Sequence, residues 1–257
     1  MPIDMSPAPE FRFFKLIETA VAPTRADRGA LGALPVNAYR YCDAITTASA
    51  FGWYLHAPMD FALLFDGREV FATWDGCGGW FPLDRVQFPG FADKFDASVP
   101  DHIRGLSPPF LARLPVPGAV QIWSGLIARS SPGWSTLIRP CANVPLTKGF
   151  DAFEGIVETD HWFGPLFINI RVLRTGVPIE IVQDSPLAMV QPIPQLAYSE
   201  PTLRAPHVMG LSDLCDADWE NYRNTGVRPP HGQGKGRYAV DIRRRRRSET
   251  PTIAEAK

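Results

Sequence analysis

Glu158, Asp160 and His161 place two carboxylates and an imidazole within four residues of one another. Carboxylates held close together push their proton affinities apart, so one can act as an acid while the other acts as a base. The imidazole adds a group that titrates near neutrality. These three residues are the catalytic candidates. A plain hairpin tip, solvated and salt-bridged to Arg171, would use the same residues without any chemistry. A second set could hold a ligand. Trp134 and Arg139 lie close together in sequence, and Arg139-Pro140-Cys141-Ala142-Asn143 forms a corner whose guanidinium offers a fork to a carboxylate or phosphate. Asn143 is equally well explained as a turn residue. Asn169 and Arg171 complete the ligand-binding candidates.

Other chemistries find less support. The histidines His56, His102, His161, His207 and His231 are far apart, and none stands in a metal-ligand spacing. No metal and no cofactor is expected. No G-x-S-x-G elbow occurs, since Trp123-Ser124-Gly125 lacks the first glycine. Asp75-Gly76-Cys77-Gly78-Gly79 is followed by Trp80 rather than by Lys and Ser or Thr, so it reads as a tight turn and not a phosphate loop. Cys42, Cys77, Cys141 and Cys215 are scattered, which fits neither a zinc ribbon nor a disulfide framework.

The elements that must position these groups are mostly short strands. In Phe153–Leu173 the residues alternate with a period of two. A turn at His161-Trp162-Phe163-Gly164 would set Glu158 opposite Phe167, Ile156 opposite Asn169 and Glu154 opposite Arg171. Val157, Leu166, Ile168, Ile170 and Val172 would then face the core. Glu154, Ile156, Glu158, Asp160, Asn169 and Arg171 would share the other face, with Phe167 among them. A similar hairpin is expected at Val120–Arg129 and Trp134–Arg139, folded about Ser130-Ser131-Pro132-Gly133, with both faces mostly apolar as in a buried strand. Phe61–Phe65 and Glu69–Trp74 flank Asp66-Gly67, a type I′ hairpin signal. Phe11–Ala20, Pro178–Val182 and Leu187–Val190 read as further strands.

Helices are few. Tyr39–Leu55 has apolar residues at three- and four-residue steps with Asp43 early in it. Short helical stretches are expected between Asp101 and Leu114, where Pro108 and Pro109 interrupt. Leu211–Asn224 reads as a terminal helix with Ser212 as its N-cap.

The chain has 257 residues with 45% hydrophobic and 21% charged residues, ordinary for a globular protein. Its 26 prolines punctuate it into short elements and argue against a helical bundle. Net charge is −1, so the body has no field that would draw it to nucleic acid. No apolar run spans a membrane, and the N-terminus lacks a secretory pattern. A cytoplasmic protein without membrane contact is expected. Residues 1–10 are expected to be disordered, 11–228 to form one globular β-rich domain, and 229–257 to be a disordered arginine-rich tail. Arg243–Arg247 in that tail is the one place expected to touch nucleic acid or an acidic partner; a solubilising role explains it equally.

Several pieces resemble a known family when taken in order. They are Arg40-Tyr41-Cys42, Phe51-Gly52-Trp53, Pro132-Gly133-Trp134, Arg139-Pro140 with Asn143, and Gly155-Ile156-Val157-Glu158-Thr159-Asp160. Together they look like an uncharacterised family of bacterial and phage proteins of about this size, known only by a domain-of-unknown-function label. The resemblance covers roughly residues 11–195 and leaves out the tail. It implies no known activity, so it assigns no catalytic residue. One departure stands out: His161 precedes Trp162, where the family pattern puts a tryptophan straight after the aspartate.

The expected fold is α+β and β-rich, an antiparallel β-sandwich or jelly-roll-like core with one N-terminal and one C-terminal helix. The expected function is a metal-free polar cleft for a small polar molecule, on the Glu158, Asn169 and Arg171 face. The alternative is a non-catalytic interaction protein that uses exposed aromatics such as Trp162 and Phe163. A concave polar face would favour the first; a flat face beside an exposed apolar patch would favour the second.

Overall fold

The computed structural model describes residues 8–145, 149–204 and 206–227, together with Val240, Ile242, Arg244 and Arg245. Residues 1–7 of the start expected to be disordered (1–10) and most of the expected tail, including Arg243, Arg246 and Arg247, lie outside the described residues. The chain runs through β1 (Phe11–Lys15), β2 (Thr24–Arg25), α1 (Val36–Tyr41), α2 (Asp43–Ser49), β3 (Trp53–Leu55), β4 (Phe61–Phe65) and β5 (Val70–Thr73). Next come β6 (Phe81–Pro82), β7 (Arg85–Val86), α3 (Phe91–Ser98), β8 (Leu111–Arg113), β9 (Ala119–Ser130) and β10 (Trp134–Arg139). Then follow β11 (Phe150–Ala152), β12 (Gly155–Val157), β13 (Pro165–Val172), β14 (Ile179–Ile181), β15 (Ala188–Pro194), α4 (Glu200–Leu203) and α5 (Asp216–Thr225).

The strands pair antiparallel in three sheets. The first runs β11-β13-β9-β8-β7, the second β12-β10-β15-β3-β2, and the third β14-β4-β5-β6. The protein is thus β-rich with short helices, as the sequence suggests. One buried cluster draws on all three sheets, with Ile122 and Ile168 from the first, Leu55 and Val190 from the second, and Leu63 and Ala72 from the third.

Strand β9 organises the first sheet. Strand β13 takes one edge, while β8 and then β1 share the other. Gly125 marks the change of partner. Its φ of 78° is a left-handed conformation that glycine adopts without a steric cost. Its carbonyl accepts the N–H groups of Leu16 and Ile17 at 2.9 and 3.3 Å, so β1 ends there. Trp123 is fully buried beside this kink, and its indole N–H donates to Leu126 O at 2.9 Å.

In β13 the alternation holds: Leu166, Ile168, Ile170 and Val172 are buried. Burying each such side chain is worth roughly 1.5–3 kcal/mol, which fixes the face that this strand turns inward.

The pairing of these strands differs from the sequence expectation. Neither expected hairpin forms. Both edges of β9 are filled by β13, β8 and β1, so β10 crosses into the second sheet and pairs with β12 and β15. Likewise β13 lies between β9 and β11, so β12 pairs with β10 instead, setting Val157 against Thr136. The segments Ser131–Gly133 and Glu158–Gly164 are therefore corners between sheets.

The Phe61–Phe65 and Val70–Thr73 hairpin forms as expected. The positive φ falls on Gly67 alone of its central pair, whereas a type I′ turn has one at both positions.

The helices also depart from expectation. The predicted Tyr39–Leu55 helix breaks at Cys42, whose φ of −112° and ψ of 89° are not helical. It stops at Ser49. Gly52 has a φ of 127°, and a side chain there would collide with the Val190 carbonyl, because β3 packs against β15 at this point. Helix α3 lies where no element was expected. Gly90 at its start has a left-handed φ of 68°, and Phe91 and Phe95 stack one turn apart. The span 101–114 holds one 3-10 turn (Asp101–Ile103) and β8 rather than helices. Helix α5 starts after Cys215, whose N–H donates to Asp218 Oδ2 at 3.0 Å, so Ser212 is not its cap.

Candidate functional site

The Glu158–His161 segment is a corner stitched to its surroundings. The Asp160 side chain is 5% exposed. Its Oδ2 accepts the Gly133 N–H at 2.9 Å, and its Oδ1 accepts the Gln195 side-chain amide at 2.9 Å. Thr159 is buried, and its hydroxyl lies 2.8 Å from that of Ser130. The Ser130 N–H also donates to Thr159 O at 3.2 Å. These bonds join the two corners to each other. A carboxylate that accepts two donors in a buried place is doing what an unfilled turn requires. Glu158 is exposed and accepts a long bond of 3.4 Å from the Tyr198 hydroxyl, which is itself 2.7 Å from Ser135 Oγ. His161 is 80% exposed, with Nε2 3.7 Å from Asp160 Oδ2.

The ligand-binding candidates are spread over two sheets. Trp134 packs edge-on against Phe11 at 6.1 Å. Arg139 pairs with Glu154 at 3.1 Å. Asn143 has a φ of 61° and donates to Ser49 Oγ at 3.0 Å, so it ties its turn to α2. Arg171 stacks over Phe153 at 4.9 Å and stands across from Asp151. Asn169 stands across from Gln121 and has a buried Oδ1 with no hydrogen-bond partner. Glu158 and Asn169 do not share a strand pair, because the hairpin that would bring them together is replaced by a corner.

Instead, a polar cleft of about 390 Å³ lies elsewhere, between the β4–β5 turn and the β8–β9 loop. Arg68, Asp84 and Arg113 line it, with the Leu114–Gly118 loop along one side. Each charged group is held by its backbone. Asp66 Oδ1 accepts the N–H groups of Arg68 and Glu69 at 2.7 Å each, which fixes the turn that carries Arg68. Those N–H bonds, Glu69's first, hold the Asp66 carboxyl below its ordinary range. The Arg113 N–H donates to Asp84 O at 2.7 Å, which links two walls of the cleft. Gly118 has a φ of 72° and backs onto the Phe65 ring.

Arg68 and Arg113 are both exposed, and among the described residues neither guanidinium pairs with a carboxylate. A guanidinium carries five donors in a planar fork, so these two offer an anion more than one bidentate grip.

Sequence reasoning missed all three residues. Each stands alone in the chain, and only the sheet order brings them together. The Asp66-Gly67 turn was the one available signal, because it places Arg68 at a tip.

Two other features complete the picture. Cys77 has its thiol drawn below the usual range by the Thr73 hydroxyl at 3.2 Å and the Trp74 N–H at 3.3 Å. Among the described residues, no three His, Cys, Asp or Glu side chains group closely enough to hold a metal ion, and no helix is long and apolar enough to cross a membrane.

No protein-family model matches the chain, and no curated protein matches it. Among solved structures, similarity is found to a mutant dUTPase from phage phi11 of S. aureus, at 11% identity and a TM-score of 0.38, covering 80% of this chain and 98% of that one. The Staphylococcus bacteriophage 80alpha dUTPase gives 9% identity and a TM-score of 0.39, covering 80% of this chain and 97% of that one. A likeness of this size carries no inference about a site or an activity.

Proposed function

We propose that this protein binds a small polar molecule bearing a carboxylate or phosphate group in the cleft between Arg68 and Arg113. The observation that carries this reading is the pair of guanidinium groups, without carboxylate partners among the described residues, on the walls of a concave polar cleft. Asp84 adds an acceptor for a hydroxyl or amine of the same molecule. It is the carboxylate among the lining residues to which a proton transfer would be assigned. The reading keeps the metal-free polar cleft expected from the sequence but moves it to other residues.

Titration calorimetry of the full chain with inorganic phosphate and with succinate at low salt tests it. Arg68→Ala and Arg113→Ala should each weaken binding about tenfold, as loss of a charged hydrogen bond implies. Unchanged affinity in the double variant would sink the reading.

A second reading follows from a separate surface. Trp162 is 58% exposed, Phe163 49% and Phe14 37%. Phe14 and Phe163 meet edge to face at 5.3 Å, and the Arg129 guanidinium lies 4.2 Å over Phe163. This exposed aromatic patch with a stacked cation supports an interaction role with an acidic, apolar partner surface. A Trp162→Ala, Phe163→Ala variant that leaves every partner association intact would remove it.

The buried cluster shared by the three sheets has members from Ile17 to Val190, which supports reading that part of the expected 11–228 domain as one unit with a sandwich-like core; residues 206–227 are exposed.

A further inference from the structure

A second cleft of about 450 Å³ opens between the turn after β1 and helix α3. Leu16 and Ile17 line it from the β1 side, and Phe88, Phe91, Phe95 and Val99 from the α3 side. The Phe91 ring sits 5.5 Å from Phe95 and 5.2 Å from Trp123, so the apolar lining is anchored in the core. Glu18 and Lys94 also line the cleft, one from each side, with Nζ and Oε2 3.4 Å apart and side chains 87% and 75% exposed.

We infer that this cleft binds an amphipathic organic anion, with an aryl or alkyl body against the phenylalanines and a carboxylate on Lys94. The volume is that of a site for a small organic ligand, and the lining is the usual mix of apolar walls and few polar groups. The lysine ammonium has three donors, and Glu18 occupies one of them. An ion pair this exposed is weak, so a ligand carboxylate competes for Lys94 on nearly even terms. The lysine stem adds to the apolar lining while its head stays wet. The preference for an anion rests on Lys94, because Asp93 already stands in the first turn of α3 and the Phe91 N–H donates to Phe88 O at 3.0 Å.

The inference uses none of the residues of the Arg68–Arg113 cleft. Titration calorimetry of the full chain compares 4-phenylbutyrate, 4-phenylbutan-1-ol and 4-phenylbutylamine at low ionic strength. Phenylbutyrate should bind ahead of the alcohol and then the amine. Lys94→Met, a change on an exposed face, should weaken phenylbutyrate about three- to fivefold and leave the alcohol unchanged. Phe95→Ala should weaken all three about tenfold, as loss of a buried aromatic contact implies. Absence of phenylbutyrate binding, tighter binding of the amine, or no effect of Lys94→Met would each overturn it.

Discussion

Asp160 and Arg113 are both charged side chains close to a chain reversal, and the fold treats them in opposite ways. Asp160 is 5% exposed, and both of its oxygens accept hydrogen bonds from neighbouring segments. Arg113 is exposed, lines a cleft, and has no carboxylate partner among the described residues. In the sequence Asp160 stands in a cluster that looks catalytic, while Arg113 stands alone. Density of polar residues along the chain does not separate the two cases. A corner between sheets leaves backbone N–H groups without ladder partners, and acidic residues are drawn there to satisfy them. Binding capacity remains where charged groups are left unpaired in a concave place.

Asp160→Ala leaves the Gly133 N–H and the Gln195 amide without their acceptor, and should cost about 3 kcal/mol of stability in urea unfolding. A loss below about 1 kcal/mol would mean the corner is not held as described. Arg113→Ala should move stability by less than about 0.5 kcal/mol, as for an exposed residue without partners, while reducing phosphate binding. A large loss of stability there would turn the cleft into a structural feature.

The smallest effect concerns the turn that carries Arg68. The folded-state carboxyl of Asp66 is depressed, so its contribution is fully present above its ordinary value and is lost as pH falls through the depressed one. The stability difference between wild type and Asp66→Ala should therefore stay constant at neutral pH and shrink only in acid. A difference that grows on acidification would contradict the N–H bonds assigned to this carboxylate.

Much of the strand content was legible because alternation is local. The inward faces of β13, the Asp66-Gly67 hairpin and the positions of β9, β10 and β14 all follow from period-two patterns and turn residues. Partner choice was not legible. A short turn such as Ser131–Gly133 suits a hairpin or a corner equally well by its length. The outcome depends on whether the edge of β9 is already taken, which residues 11–15, 111–113 and 165–172 decide from far away. Helix α3 was missed because its phenylalanines at 91 and 95 are only one turn of pattern, set between Gly90 and Pro100. Gly52, read as part of a helix face, is instead required by close approach to β15. The cleft at Arg68, Asp84 and Arg113 carries no linear signature at all, since the β4–β5 turn, the residue before β7 and the end of β8 supply one residue each.

The position of β15 has a consequence for how this chain is made. It is the middle strand of the second sheet, between β10 and β3, yet among the described residues it is the last strand along the chain. Ala188 must find Leu55, and Arg139 must find Met189, before either neighbour has a complete ladder. During synthesis β3 and β10 wait with open edges, which are templates for pairing with other chains. Pairing between such distant segments is also slow. A nascent chain stopped before Ala188 would expose both edges at once, so this is the stage at which the protein most needs shielding from its own copies.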